Sequence, residues 1–124
     1  MSKILDTFMN DLKDNVSGFI AVSITATETG MPYASLSSDP NFNVELAGSY
    51  NLEVVKAKQS IIKSLDLKEK IQDIMLTLTN QIHLISISEN GEYFVYLAVD
   101  SKNGNLGLTR SLLKKYTKEI EGKI

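Results

Sequence analysis

The chain has 124 residues, of which 43% are hydrophobic, a formal charge of -2 and no cysteine. This length fits one domain spanning residues 1–124, and the missing cysteines exclude disulfides and thiol nucleophiles. Nucleic-acid binding is disfavoured because it needs concentrated positive charge, whereas both signs of charge are scattered along this chain. Apolar runs are shorter than the roughly 18 residues of a membrane-spanning helix, so we expect no membrane insertion and a cytoplasmic protein.

The first elements are a helix and a pair of strands. An amphipathic segment, not a signal peptide, opens the chain, and its apolar stripe holds Ile4, Leu5, Phe8, Met9, Leu12 and Val16. Over residues 19–27 the apolar period becomes two, which predicts a strand with one apolar face. A turn ending at Gly30 leads to a return strand over residues 31–37. Its Pro32 cannot donate a ladder hydrogen bond, which favours the sheet edge.

A long helix follows, which we expect to begin with Asp39 as its cap and Pro40 in its first position, and to run to about Leu65. Two apolar stripes run along it. We expect the first to cover a sheet: Leu46, Ala47, Tyr50, Val54, Ala57, Ile61 and Leu65. The second is spaced like a short coiled-coil seam if Asn51 and Lys58 are counted: Val44, Gly48, Val55 and Ile62. Either another helix of this chain or a second copy would cover the second stripe.

Three strands are predicted next, over residues 71–79, 82–88 and 93–99. Their short connections require an antiparallel meander. A last helix carries Leu106, Thr109, Leu112, Leu113, Tyr116 and Ile120 on one face. The order helix, two strands, helix, three strands, helix predicts an α+β domain: a five-stranded antiparallel sheet with helices on both faces.

The third strand favours self-association. If it lies at a sheet edge, Asp73 is the only residue on it whose charge opposes pairing, and such an edge can pair with a strand of another chain. We favour a two-fold dimer that joins two sheets at this edge and brings two long helices together. The predicted interface holds Val44, Gly48, Asn51, Val55, Ile62, Asp73, Met75 and Thr77.

Residues that carry chemistry are few. His83 is the single histidine, and we expect it to be half-buried on a strand with satisfied hydrogen bonds. Arg110 is the single arginine, and we expect it to pair locally with a carboxylate. Because the glycines form neither a Walker A loop nor a dinucleotide fingerprint, the sequence predicts no catalytic residue, no metal site and no cofactor. The protein is therefore predicted not to be an enzyme.

One motif resembles a known family. Asn105-Leu106-Gly107-Leu108-Thr109-Arg110, at the start of the last helix, is similar to the N-L-G-L-x-R signature of the Roadblock/dynein-light-chain family. The order of elements is similar over nearly the whole chain. The resemblance implies a homodimer, or a heterodimer with a related subunit, in which the third strands pair and the long helices lie side by side.

The resemblance also implies a partner. Members of the family act as regulators of small Ras-like GTPases or as platforms for them. The bacterial gliding-motility branch reorganises the switch residues of its GTPase without donating an arginine. By analogy, the GTPase would contact a polar strip on the long helix: Glu45, Ser49, Glu53, Lys56, Ser60 and Lys63. One alternative is a non-catalytic adaptor in a motility or signalling complex. A weaker alternative is a ligand sensor of the PAS or profilin type, with a cavity lined by His83, Tyr93, Phe94 and Tyr96.

Overall fold

The computed structural model describes residues 2–124, so Met1 of the predicted domain lies outside the described residues. Eight elements follow one another: α1 (Ser2–Asn15), β1 (Phe19–Ala26), β2 (Pro32–Ser37), α2 (Val44–Ser64), β3 (Asp73–Thr77), β4 (Gln81–Ile87), β5 (Tyr93–Asp100) and α3 (Leu106–Ile120). The strands form one antiparallel sheet in the order β2-β1-β5-β4-β3. The predicted α+β architecture is confirmed, and β2 and β3 are the edges of the sheet.

Each face of the sheet has its own apolar core. On one face, α1 and α3 pack over Val22, Ile24, Val95 and other side chains of the central strands. On the other face, α2 packs over Ala21, Phe94 and their neighbours. No helix within residues 2–124 is both long enough and apolar enough to cross a membrane.

The start of α2 differs from the prediction. Asn43 caps the helix, because its side chain accepts a hydrogen bond from the Leu46 amide at 3.0 Å. Asp39 instead closes a separate turn by accepting from the Asn41 amide at 2.9 Å, and Pro40 lies in that turn. Aspartate and asparagine are both common at helix starts and in turns, so the local sequence does not show whether Asp39 or Asn43 caps α2.

The two apolar stripes of α2 have exchanged roles. Val44, Gly48 and Val55 of the predicted seam are buried against the sheet, together with Leu52. The stripe expected to cover the sheet faces solvent, apart from its half-buried alanine at position 47. The reason is the small side chains on this face of β1: a Cβ on Gly48 would lie 2.9 Å from Thr25 Oγ1 and 3.2 Å from Ser23 Oγ. Only the stripe that contains glycine can approach the strand so closely.

Two strands also differ from their predicted form. A register shift between Phe19 and Ala21 turns Ile20 toward the α2 core and Phe19 toward the opposite core. β3 is shorter than the predicted range of 71–79, because the Leu78 amide donates to the Gln81 carbonyl and so belongs to the turn before β4. The edge that β3 offers is therefore five residues long.

Replacing Gly48 with alanine is expected to cost stability that the same change at Gly107 does not. Both glycines lie in helices, where alanine is favoured over glycine by about 1 kcal/mol. A Cβ on Gly107 would meet only Asn105 Oδ1 at 3.6 Å. We therefore expect the unfolding free energy of Gly48→Ala to be about 1–3 kcal/mol below that of Gly107→Ala in urea denaturation. Equal values would contradict close packing of α2 on β1.

Candidate interaction surfaces

The outward side of α2 is an exposed apolar stripe, which we call the α2 stripe. Its members follow one another at steps of three or four residues: Leu46, Tyr50, Val54, Ala57, Ile61 and Leu65. The exposed fraction reaches 68% at Tyr50 and 63% at Leu65. Large apolar side chains concentrated in one exposed patch are typical of a protein–protein interface.

The edge strand β3 is a second exposed feature. Met75, Leu76 and Leu78 are exposed, while the strands nearest to α2 are β1 and β2 at the other side of the sheet. As an edge strand, β3 leaves backbone hydrogen-bonding groups and apolar side chains available. The α2 stripe and β3 are therefore two separate candidate surfaces.

The predicted interface residues separate into three groups. Val44, Gly48 and Val55 lie inside the protomer, so the prediction that they face a second copy is wrong. Two further members of that seam are half-buried: Asn51, whose side chain donates to the Ala47 carbonyl at 2.8 Å, and Ile62. The remaining members lie on the edge strand itself: Asp73, Met75 and Thr77.

The predicted polar strip is exposed along its whole length. Its members are Glu45, Ser49, Glu53, Lys56, Ser60 and Lys63. The Ser35 hydroxyl of β2 lies 3.4 Å from Glu45 Oε1 and donates to it, so the strip faces the β2 side of the sheet. The α2 stripe lies on a different side of the helix from this strip and is also exposed. Two chemically distinct surfaces thus run in parallel along α2.

The residues of the N-L-G-L-x-R motif connect α3 to the edge strand. Asn105 caps α3 by accepting from the Leu108 amide at 3.1 Å. Arg110 Nη2 lies 2.7 Å from Asp73 Oδ2, which is the local carboxylate pairing that the sequence predicts. Leu106 is half-buried, while Gly107 and Leu108 are exposed. Because this ion pair neutralises the one charge on β3, the edge carries less charge to oppose strand pairing.

His83 has the satisfied, half-buried environment that was predicted. Its Nε2 lies 2.8 Å from Gln81 Oε1, and its Nδ1 lies 3.1 Å from the Tyr96 hydroxyl. These partners assign the neutral Nε2–H tautomer, with Tyr96 donating to Nδ1. Burial lowers the pKa of His83, and burial also raises the pKa of Tyr96 to about 12. The ring therefore carries no charge near neutral pH.

The aromatic residues proposed for a sensor cavity lie on different faces of the sheet. Phe94 and Tyr96 belong to the core under α2, whereas Tyr93 belongs to the core under α1 and α3. All three are buried among aliphatic side chains. They therefore fill two cores and do not line a common cavity.

Three solved structures resemble this arrangement of helices and sheet. MglB of Myxococcus xanthus has a TM-score of 0.76 at 16% identity, over 95% of this chain and 89% of that one. A Roadblock/LC7 domain from Streptomyces avermitilis has a TM-score of 0.80 at 10% identity, over 93% and 92%. The gliding protein MglB of Thermus thermophilus has a TM-score of 0.79 at 12% identity, over 94% and 84%. The chain has the Roadblock/LC7 fold.

The predicted resemblance is thus confirmed for the architecture of the Roadblock/LC7 fold. No family model and no curated protein match the sequence. At these identities, the likeness concerns the backbone and does not transfer residue roles. The roles of the α2 stripe, the polar strip and the β3 edge rest on the side chains of this chain.

Sequence reasoning missed the outward role of the α2 stripe within this Roadblock/LC7 fold. The signal that would have found it lies in β1, whose face toward α2 holds Ala21, Ser23 and Thr25. Three small side chains in alternation require a helix face with a small residue. Gly48 belongs to only one of the two stripes of α2.

The burial of His83 predicts a pH dependence of stability. In the unfolded chain, histidine takes up a proton near its ordinary pKa of 6.5, whereas the folded protein takes it up only at lower pH. The unfolding free energy should therefore fall as pH decreases from about 7.5 to about 5.5. We expect a smaller fall for His83→Gln, measured by urea denaturation at both pH values. Parallel pH profiles for the two proteins would contradict the lowered pKa.

Proposed function

We propose that the protein is a dimeric regulator that binds a small Ras-like GTPase in the cytoplasm and modulates its nucleotide cycle. The observation that carries this proposal is the exposed α2 stripe, together with the free edge strand β3. The similarity of the fold to MglB supports it. On this proposal the protein has no active site of its own, and its single arginine is engaged by Asp73.

The partner that best fits the α2 stripe and β3 together is a second copy of the chain. An antiparallel pairing of two β3 strands about a two-fold axis satisfies the free backbone groups of both edges. The same axis brings the two α2 helices together in antiparallel orientation, so that the two stripes bury one another. Interfaces of this kind are stabilised mainly by burial of apolar surface.

The GTPase is assigned to the polar strip because that strip stays exposed after the two stripes pair. Serines alternate along it with both signs of charge, which is typical of a reversible interface with polar contacts. With Arg110 held by Asp73 on another element, the protein would act by reorganising the GTPase's own switch residues. An arginine-finger mechanism would instead require this protein to insert Arg110 into the active site of the GTPase.

Two charges placed on the α2 stripe should dissociate the dimer. We expect light scattering to give about twice the protomer mass of 13.7 kDa for the unmodified protein. Tyr50→Asp combined with Ile61→Asp should give the protomer mass, because pairing would bury two uncompensated carboxylates. The control pair Ser49→Asp and Ser60→Asp lies on the polar strip and should leave the dimer intact. A protomer mass for the unmodified protein at micromolar concentration would refute the dimer.

Charge reversal on the polar strip should weaken GTPase binding. The unmodified protein is used to capture partners from the source cell's lysate, with either GDP or a non-hydrolysable GTP analogue, and the captured proteins are identified by mass spectrometry. We expect a Ras-like GTPase with the triphosphate only, and its loss with Lys56→Glu combined with Lys63→Glu. The control Lys3→Glu with Lys13→Glu changes the same charge on α1 and should retain the GTPase.

Two outcomes would count against this assignment. Equal capture by a folded, dimeric Lys56→Glu/Lys63→Glu variant would remove the polar strip from the interface. Capture of other proteins without any dependence on nucleotide would favour the adaptor function. If the GTPase is recovered, its rate of phosphate release with and without the protein distinguishes a regulator from a platform.

A further inference from the structure

A groove lies at one end of the sheet, beside the C-terminal end of α2. It has a volume of about 860 Å³ and is bounded by four parts of the chain. These are the end of α2, the connection over residues 66–72, the turn between β4 and β5, and the second half of α3. This volume falls in the range of about 300–1,000 Å³ that is typical of binding sites.

The groove combines an apolar floor with lysines on several sides. Its floor includes Ile62, Ile71 and Ile87. Its lysines come from separate elements: Lys63, Lys68, Lys70, Lys114 and Lys118. Because the positive charges are spread over α2, the connection and α3, a single small anion would reach only some of them. An extended ligand with several anionic groups would reach more.

The groove also holds four carboxylates, two of which are already engaged. Asp66 Oδ1 lies 2.9 Å from Lys68 Nζ. Glu121 Oε1 accepts a hydrogen bond from the Glu89 amide at 3.1 Å. The side chains of Glu69 and Glu89 complete the set. Across residues 2–124, the other four groove lysines have no carboxylate partner within ion-pair distance.

Two of these lysines belong to one wall of the groove. Lys114 and Lys118 lie one turn apart on α3, and both line the groove.

We propose that this groove binds an extended acidic segment of a partner protein. Carboxylates of the segment pair with Lys114, Lys118 and Lys70, and its apolar side chains lie on Ile71 and Ile87. Pairing of two copies through the α2 stripe and β3 is not required for this site. The groove is therefore a second docking surface, separate from the polar strip except at Lys63, which borders both.

The test uses a fluorescein-labelled peptide of about ten residues in which glutamate alternates with leucine, titrated by fluorescence polarisation. A matched peptide has glutamine in place of every glutamate. We expect saturable binding of the glutamate peptide, weakened by added salt, and none of the glutamine peptide up to about 1 mM. Equal binding of both peptides, or no binding of the glutamate peptide at that concentration, would overturn the proposal.

Two variants locate the peptide in the groove. Lys114→Gln combined with Lys118→Gln should weaken binding by about tenfold, since two exposed ion pairs together contribute about that factor. Lys115→Gln combined with Lys123→Gln removes the same charge outside the groove and should bind like the unmodified protein. Equal weakening by both pairs would indicate a general charge effect and overturn the proposed location.

Discussion

The close contact between α2 and β1 sets the orientation of the longest helix and, through it, the character of the protein's surface. Gly48 lies over Ser23 and Thr25 with so little space that a single Cβ would approach an oxygen at 2.9 Å. Dispersion attraction falls steeply with distance, so the helix face that approaches most closely is also the one that packs best. This contact fixes the rotation of α2 about its own axis, and the remaining side chains of the helix follow from it.

With that rotation fixed, large apolar residues such as Tyr50 and Leu65 are directed away from the sheet. An exposed apolar stripe along a whole helix and a free edge strand are both features that promote association. The Arg110–Asp73 ion pair acts in the same direction by neutralising the charge at the start of β3. The burial of one face of α2 and the exposure of its apolar stripe therefore both follow from Gly48 and the small side chains of Ser23 and Thr25.

The strands and the order of elements could be predicted because a period of two, a proline within a strand and short turns between strands each have one structural meaning. The two apolar sides of α2 have no such single meaning. The helical pattern shows that two sides are apolar, but which of them lies on the sheet depends on side-chain sizes in β1, far away in the sequence. Ile20 is a similar case, since the register shift that turns it to the α2 side depends on the pairing of β1 with β5. The groove was not predicted at all, because its lining is assembled from four separate segments whose residues are individually ordinary.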